Sequence, residues 1–117
     1  MTAPARIQRR RTKGWKMPEN TVSVTRPGPY GNPFKFGDYV KFGGGFTYLI
    51  TTQENATPDF TFIASPKMAV EFYAEYRRRF PLTETEKAFL RGKNLACWCA
   101  VGSPCHADAL LELANRP

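Results

Sequence analysis

The sequence has 117 residues, of which 42% are hydrophobic, a size and composition typical of one globular domain and not of a disordered segment. No segment is apolar over the length of a transmembrane helix, and no apolar stretch follows the basic N-terminus as it does in a signal peptide. The three cysteines lie close together near the C-terminus, which is not the pattern of a disulfide framework. We therefore expect a cytoplasmic protein with no membrane partner.

The formal net charge of +7 is concentrated at the N-terminus. Residues 1–16 contain no acidic residue but six basic ones: Arg6, Arg9, Arg10, Arg11, Lys13 and Lys16. Such a block indicates either an arm that contacts the phosphates of a nucleotide or nucleic acid, or a solvated tail. Trp15 favours a docked segment, because exposing a large apolar side chain to water is costly. We predict a basic N-terminal arm over residues 1–16.

The first half of the chain is rich in glycine and proline and contains several strand signals. Alternating β-branched residues predict a strand over residues 21–25, which ends at Arg26-Pro27. Two further segments separated by a triple glycine predict a hairpin, and a third short strand candidate follows them: residues 38–42, 46–51 and 60–63.

The second half shows helix signals first. Ser65 and Pro66 are typical of an N-cap and a first helical residue. Large apolar and aromatic residues recur every four positions from Met68 to Phe80, which predicts an amphipathic helix that packs on a core. Pro81 ends this helix.

A capping-box pattern of Thr83 and Glu86 predicts a short second helix that ends at Gly92. Residues 94–99 are typical of a short buried strand, and residues 105–115 of a final helix. With the earlier strands, this order predicts an α/β fold: a small layered domain with a partly parallel sheet and helices packed on it.

The residues with the most reactive side chains form a Cys/His cluster of Cys97, Cys99, Cys105 and His106. Cys97 and Cys99 are two residues apart on the predicted strand, so both project to one face while Trp98 projects to the other. Three thiolates and an imidazole are a known structural zinc set. The spacing is not a common zinc-finger pattern, however, and adjacent Cys and His ligands strain a tetrahedral site.

Two other interpretations of the cluster remain open. Backbone N–H groups at a helix start lower the pKa of a thiol, so Cys105 is a candidate nucleophile, with His106 or Asp108 assisting proton transfer. The same N–H groups can hold a phosphate, with Arg26 or the basic arm supplying charge. The bland alternative is packing alone, since cysteine is among the most buried residue types.

Three blocks of the chain together match a family pattern. They are Arg11 to Asn20, with Arg-Thr-Lys-Gly-Trp and Met-Pro-Glu-Asn; Arg26 to Phe34, with Arg-Pro and Gly-Asn-Pro-Phe; and Leu90 to Asp108, with Cys-Trp-Cys and Pro-Cys-His-Ala-Asp. In these blocks the chain resembles the domain-of-unknown-function family 4326, small proteins of phages and bacteria. The label supplies no activity, but the resemblance implies one composite site whose ligand-binding candidates are Arg11, Lys13, Trp15, Arg26, Tyr30 and Asn32.

Two features depart from that family pattern. Tyr30 stands where the family usually has tryptophan before Gly-Asn-Pro-Phe, which keeps an aromatic wall of a different size. Residues 35–63 form a longer segment than usual, so we predict a strand-rich insertion that acts as a lid or an interaction surface. We place this insertion within a single domain over residues 1–117.

We therefore expect a protein that binds a phosphate-bearing ligand, a nucleotide or a nucleic acid, and that acts as an enzyme on nucleotides or nucleobases if Cys105 or a bound zinc is reactive. The catalytic candidates are Cys105, His106 and Asp108, and the zinc ligands are Cys97, Cys99, Cys105 and His106. One alternative is a non-catalytic module that binds nucleic acid or protein, with a structural zinc or an inert cluster. Another is a phage factor in the host cytoplasm that binds a host protein through residues 38–51.

Overall fold

A computed structural model describes residues 4–26, 28, 30–43, 46–99 and 102–115. Within these residues the strands are β1 (Arg6–Gln8), β2 (Thr21–Ser23), β3 (Tyr39–Gly43), β4 (Phe46–Thr51), β5 (Thr61–Phe62) and β6 (Asn94–Cys97). The helices are α1 (Pro66–Arg79), α2 (Glu84–Leu90) and α3 (His106–Asn115), and a 3-10 turn spans Gln53–Asn55.

The chain divides into two compact units. Unit 1 consists of Met1–Gly31 and Leu82–Pro117, and unit 2 of Asn32–Pro81. Unit 1 holds a parallel sheet and unit 2 an antiparallel one, so the predicted α/β class with a partly parallel sheet and a hairpin is confirmed.

The sheet of unit 1 has the strand order β1-β6-β2, and both pairings are parallel. Its central strand, β6, is buried at Leu95, Ala96 and Cys97, as expected for a parallel strand that is covered on both faces. Both β2 and β6 are shorter than predicted, since β2 ends at Ser23 and β6 at Cys97.

Strand β1 lies inside the segment that the sequence predicted as a basic arm. Its backbone is tied to β6 at both ends, because Leu95 N–H donates to Ala5 O at 3.1 Å and Arg9 N–H donates to Cys97 O at 2.7 Å. The prediction of an arm is therefore wrong for Arg6–Gln8, which form an edge strand. A three-residue strand with a single apolar residue, Ile7, carries no clear sequence signal.

The two helices of unit 1 begin as the sequence predicts. Thr83 caps α2 in a full capping box, in which its Oγ1 accepts from Glu86 N–H at 3.1 Å and its own N–H donates to Glu86 Oε1 at 2.9 Å. Helix α3 begins at His106, one residue later than predicted, and packs against α2, β6 and β1 through a face that includes Leu110 and Ala114.

Unit 2 is an antiparallel sheet in the order β4-β3-β5, together with α1. The predicted hairpin of β3 and β4 is confirmed, while residues 44 and 45 of its loop lie outside the described residues. Ser65 Oγ caps α1 by accepting from Met68 N–H at 3.1 Å, and Pro66 is its first residue. The core of the unit is aromatic, with Phe34 in ring contact with Phe42, Tyr48, Phe72 and Tyr76.

None of the helices among the described residues is long and apolar enough to cross a bilayer.

Candidate functional site

The three parallel strands of unit 1 end at one edge, which we call the carboxyl edge. Open α/β sheets bind ligands at this edge, outside the carboxyl ends of their strands. The register pairs Gln8 with Cys97 and Ser23 with Ala96. Because side chains alternate along a strand, Cys97 projects to one face of the sheet and Ser23 and Ala96 project to the other. The carboxyl edge therefore carries different chemistry on its two faces.

On the first face, the side chains of Cys97, Cys99 and Cys105 form a thiol cluster. Their three Sγ atoms all lie within 4.8 Å of one another, and all three cysteines are free. Cys97 and Cys105 are buried, with Sγ atoms 2.8 Å apart, and Cys99 is half-buried. Sulfur ligands of a tetrahedral zinc ion, at Zn–S distances of about 2.3 Å, lie about 3.8 Å apart. The three sulfur atoms are thus within reach of one ion, and those of Cys97 and Cys105 would separate by about 1 Å to reach that distance.

The thiols differ in acidity. The hydrogen bond from Cys105 lowers the pKa of Cys97 to about 6, helped by the backbone N–H of Cys99 and the charge of Arg6 and opposed by burial. The same hydrogen bond, together with burial, raises the pKa of Cys105. Burial also raises the pKa of Cys99. Cys97 is therefore the thiol that ionises first, while the pKa of Cys105 shifts the other way; the role of Cys105 as nucleophile stays a prediction.

Arg6 connects β1 to the segment that carries Cys105. Its guanidinium is buried, and Nη1 donates to Ser103 O and to Asp108 Oδ2, both at 2.8 Å. The side chain of Asp108 is 62% exposed. Asp108, predicted to assist proton transfer, is therefore ion-paired to Arg6 at the start of α3.

His106 is buried beside the thiol cluster. Its Nε2 lies 2.6 Å from Val24 O, and its Nδ1 lies 3.8 Å from Cys105 Sγ. A carbonyl only accepts hydrogen bonds, so Nε2 carries the proton of the neutral ring. Burial lowers the pKa of His106, and the Arg26 charge adds to that effect. A histidine whose N–H donates to a backbone carbonyl has the arrangement that is usual for metal-ligating histidines.

The opposite face carries an arginine–tryptophan site, which consists of Arg9, Ser23, Thr25 and Trp98. Arg9 Nη1 donates to Thr25 Oγ1 at 3.0 Å and to Ser23 Oγ at 3.2 Å. Its guanidinium carbon lies 4.4 Å from the centre of the Trp98 ring, and that of Arg11 lies 4.6 Å from the same centre. Trp98 is 40% exposed. Arg11, a predicted ligand-binding residue, thus reaches this face.

The other predicted ligand-binding residues of unit 1 are near the carboxyl edge or on the arm. Lys13 is exposed. Trp15 is half-buried, and its backbone N–H donates to Thr12 O at 3.1 Å. Arg26 is exposed and acts on the pKa of His106. The ring of Tyr30 stacks on Phe89 at a centre-to-centre distance of 6.2 Å.

Asn32 belongs to unit 2 and is buried there. Its Nδ2 donates to Ala69 O at 3.2 Å, and its Oδ1 accepts from Phe34 N–H at 2.9 Å. Its side-chain amide therefore holds the start of unit 2 against α1, and its predicted ligand-binding role stays a prediction.

Sequence reasoning did not single out Arg9, Ser23, Thr25 or Trp98 as site residues. The signal was the period of two: Ser23 and Thr25 share one face of an extended segment, as do Arg9 and Arg11. That signal becomes visible only once β1 and β2 are known to flank β6.

Comparison with known proteins gives one match. Residues 7–116 match the family described as Domain of unknown function (DUF4326). No curated protein and no solved structure matches the chain. The matched residues include the thiol cluster and the arginine–tryptophan site.

Proposed function

The chain belongs to the DUF4326 family, and from the geometry of its own residues we propose that it is a zinc-binding protein with a phosphate-bearing ligand at the carboxyl edge. The observation that carries the zinc proposal is the thiol cluster, whose three sulfur atoms lie within 4.8 Å of one another. Thiolates are the ligands that structural zinc sites use most, and clustered buried thiols fit a closed site.

The protonation states of the cluster fit this proposal. Cys97 is a thiolate at neutral pH, and two backbone N–H groups, those of Cys99 and Ala107, donate to the sulfurs of Cys97 and Cys105. Zinc binding would replace the two protons of Cys99 and Cys105, and these protons would leave to solvent. Three thiolates and Zn²⁺ carry a net charge of −1, and the guanidinium of Arg6, which also pairs with Asp108, lies close enough to lower the pKa of Cys97.

For the fourth ligand position we propose His106 Nδ1, which lies outside the group of three sulfur atoms within 4.8 Å of one another but close to Cys105. With a Zn–S distance of about 2.3 Å and a Zn–N distance of about 2.0 Å, the S–N edge of a tetrahedral site is about 3.6 Å. The corresponding distance from Cys105 Sγ to His106 Nδ1 is 3.8 Å. Val24 O would then orient the ring as a ligand-supporting partner.

The phosphate-bearing ligand is supported by charge and position. The net charge is +7, and Arg11, Lys13 and Arg26 are exposed in unit 1. Clustered cations attract phosphates and release counterions when they bind them. We propose the carboxyl edge as its binding site, since this edge is the usual ligand site of an open α/β sheet.

The zinc proposal is tested with cobalt. Co²⁺ added to metal-free protein should give one tetrahedral ion per chain, seen as visible ligand-field bands and a sulfur-to-metal charge-transfer band, and Zn²⁺ should displace it. Cys97→Ser, Cys99→Ser and Cys105→Ser should each lower the intensity of the charge-transfer band by about a third and weaken zinc affinity at least tenfold. The matched control is Trp98→Phe, because Trp98 lies between two of the ligands in the sequence but its side chain faces away from them. This variant should bind cobalt and zinc as the wild-type protein does.

His106→Gln tests the fourth ligand in the same assay. The charge-transfer band should persist, because the three sulfur ligands remain. The ligand-field bands should shift, and the affinity for zinc should fall. Folded wild-type protein that gives no tetrahedral cobalt spectrum would contradict the zinc proposal.

A second candidate function, thiol-based catalysis, is favoured by one observation: the pKa of Cys97 is lowered to about 6 by the hydrogen bond from Cys105. In this case Cys97 is the nucleophile and Cys105 its hydrogen-bond donor. Alkylation of the metal-free protein by iodoacetamide should then follow a titration near pH 6, and Cys105→Ala should move it upward. If zinc is the physiological occupant, adding zinc abolishes this reactivity.

A further inference from the structure

We propose that the arginine–tryptophan site binds one nucleotide unit of single-stranded nucleic acid, with a phosphate on Arg9 and a base on Trp98. This inference rests on the phosphate-bearing ligand of the proposed function and names its class. It does not depend on zinc, because the site lies on the face of the sheet opposite the thiol cluster.

Arg9 is a guanidinium held in place without a counter-ion. Its Nη1 donates to two neutral hydroxyls, those of Ser23 and Thr25, and no ion pair to a carboxylate forms in the part of the chain that the structure describes. A charge that is partly withdrawn from water is normally paired. Phosphate is the anion whose geometry a guanidinium fork matches best.

The Nε of Arg9 gives a second observation. This N–H is buried and has no hydrogen-bond acceptor among the described residues. A buried donor without an acceptor is destabilising, and native structures rarely keep one without a reason. A phosphate oxygen beside Arg9 supplies the missing acceptor.

The two hydroxyls complete the anion site. Ser23 Oγ and Thr25 Oγ1 lie 2.9 Å apart, on alternate residues at the end of β2. Each accepts from Arg9, and a hydroxyl that accepts one hydrogen bond still has its own proton to donate. Because one hydroxyl donates its proton to the other, the pair holds Arg9 in position and keeps one donor for the same phosphate.

Trp98 supplies the stacking surface. Its ring is 40% exposed and lies 4.4 Å from the guanidinium of Arg9 and 4.6 Å from that of Arg11. A base would stack on this ring by displacing the exposed side chain of Arg11, and stacking of this kind tolerates any base sequence.

The charge around the site favours a strand over a free nucleotide. The chain that leaves Arg9 is exposed and carries further cations: Arg10, Arg11, Lys13 and Lys16. One phosphate requires only Arg9 and the two hydroxyls. The additional cations match the successive phosphates of a backbone that continues past the site.

The test measures fluorescence anisotropy of labelled (dT)12 and (rU)12 with the full-length protein at several salt concentrations. The wild-type protein should bind at least one of the two single strands, more tightly than a duplex of the same length. Arg9→Gln and Trp98→Ala should each weaken binding about tenfold or more. Arg9→Gln should also reduce the slope of log affinity against log salt by about 0.7.

Arg78→Gln is the matched control, since it removes one exposed arginine from α1 and changes the net charge by the same amount. It should leave affinity within about twofold of wild type. Arg9→Lys keeps the charge and Trp98→Phe keeps an aromatic ring. These two variants replace Arg9→Gln and Trp98→Ala if those do not fold. Arg9→Lys should lose most of the affinity because an ammonium lacks the planar fork.

Equal effects of Arg9→Gln and Arg78→Gln would overturn the inference, because binding would then reflect net charge alone. Tight binding of duplex, or competition by free dTMP or UMP at the affinity of the oligonucleotide, would overturn the assignment to single strands. Zinc content is measured on every variant. Lost nucleic-acid binding at full zinc content separates this site from the thiol cluster.

Discussion

Zinc binding should release a number of protons that depends on pH. Cys97 has lost its proton at neutral pH, because the hydrogen bond from Cys105 lowers its pKa to about 6. Cys99 and Cys105 keep theirs, because burial raises the pKa of the first, and the hydrogen bond to Cys97, together with burial, raises that of the second. Burial lowers the pKa of His106 below its ordinary value of 6.5, so the ring adds no proton to the release at pH 7.5. Zinc takes thiolates, so each remaining proton leaves when the metal binds.

The thiols should release about two protons per zinc at pH 7.5 and close to three at pH 5, with a midpoint near pH 6. The sign follows directly: zinc and protons compete, so the apparent zinc affinity rises with pH. The rise is about two powers of ten per pH unit above the midpoint and about three below it.

Calorimetric titration in buffers of different ionisation enthalpy measures this number, as the slope of observed enthalpy against buffer enthalpy. Trp98→Phe, which leaves every proposed ligand in place, should give the wild-type counts. A release that stays at three from pH 5 to pH 8 would refute the assignment of Cys97 as the thiolate of the cluster.

Four substitutions test the supporting structure. Arg6→Met should lower the free energy of unfolding by about 2–3 kcal/mol, because the charged hydrogen bond to Ser103 O is lost. Asp108→Asn should lower it by less than about 1 kcal/mol, because that carboxylate is mostly exposed. Urea unfolding followed by circular dichroism measures both. Asn32→Leu should cost about 2 kcal/mol, because two backbone groups lose their partner, and should leave zinc content unchanged by elemental analysis. Thr83→Ala should cost about 1 kcal/mol in the same unfolding assay, because it removes the capping box of α2.

Each of these expectations has an outcome that contradicts it. Equal losses for Arg6→Met and Asp108→Asn would mean that the exposed ion pair, and not the bond to Ser103, holds the segment before α3. Zinc lost from folded Asn32→Leu would place Asn32 in the metal site after all. An unchanged stability of Thr83→Ala would mean that α2 is held by packing alone.

The sequence predicted the elements whose signals are local. Ser65 with Pro66 and Thr83 with Glu86 marked the starts of α1 and α2, because caps satisfy backbone groups within a few residues. The hairpin of β3 and β4 followed from alternation around a run of glycines. The clustering of the cysteines was also a local signal, since Cys97 and Cys105 are only eight residues apart.

Elements that depend on distant partners were not predictable in the same way. Strand β1 exists because its backbone pairs with β6, almost ninety residues later in the chain, and nothing in Arg6–Gln8 alone favours a strand. The same pairing turns Arg6 towards Ser103 and Arg9 towards Ser23 and Thr25. The basic segment therefore contains two kinds of arginine that charge counting cannot separate: Arg6 is buried and ion-paired, and Arg9 lies beside Trp98 at the carboxyl edge.

The relative acidity of the three thiols could not be predicted from the sequence either. A helix start beside Cys105 pointed to Cys105 as the thiolate, but the direct sulfur contact of 2.8 Å makes Cys105 the donor and Cys97 the acceptor. Direct hydrogen bonds outweigh a helix terminus at this distance.

Native mass spectrometry of freshly purified protein, with no chelator and no added metal, tests directly whether the thiol cluster holds zinc. We expect one zinc ion per chain in the wild-type protein and in Trp98→Phe, and none in Cys97→Ser. A folded, metal-free wild-type protein that also fails to take up zinc when it is supplied, with all three thiols open to a thiol reagent, would contradict this expectation.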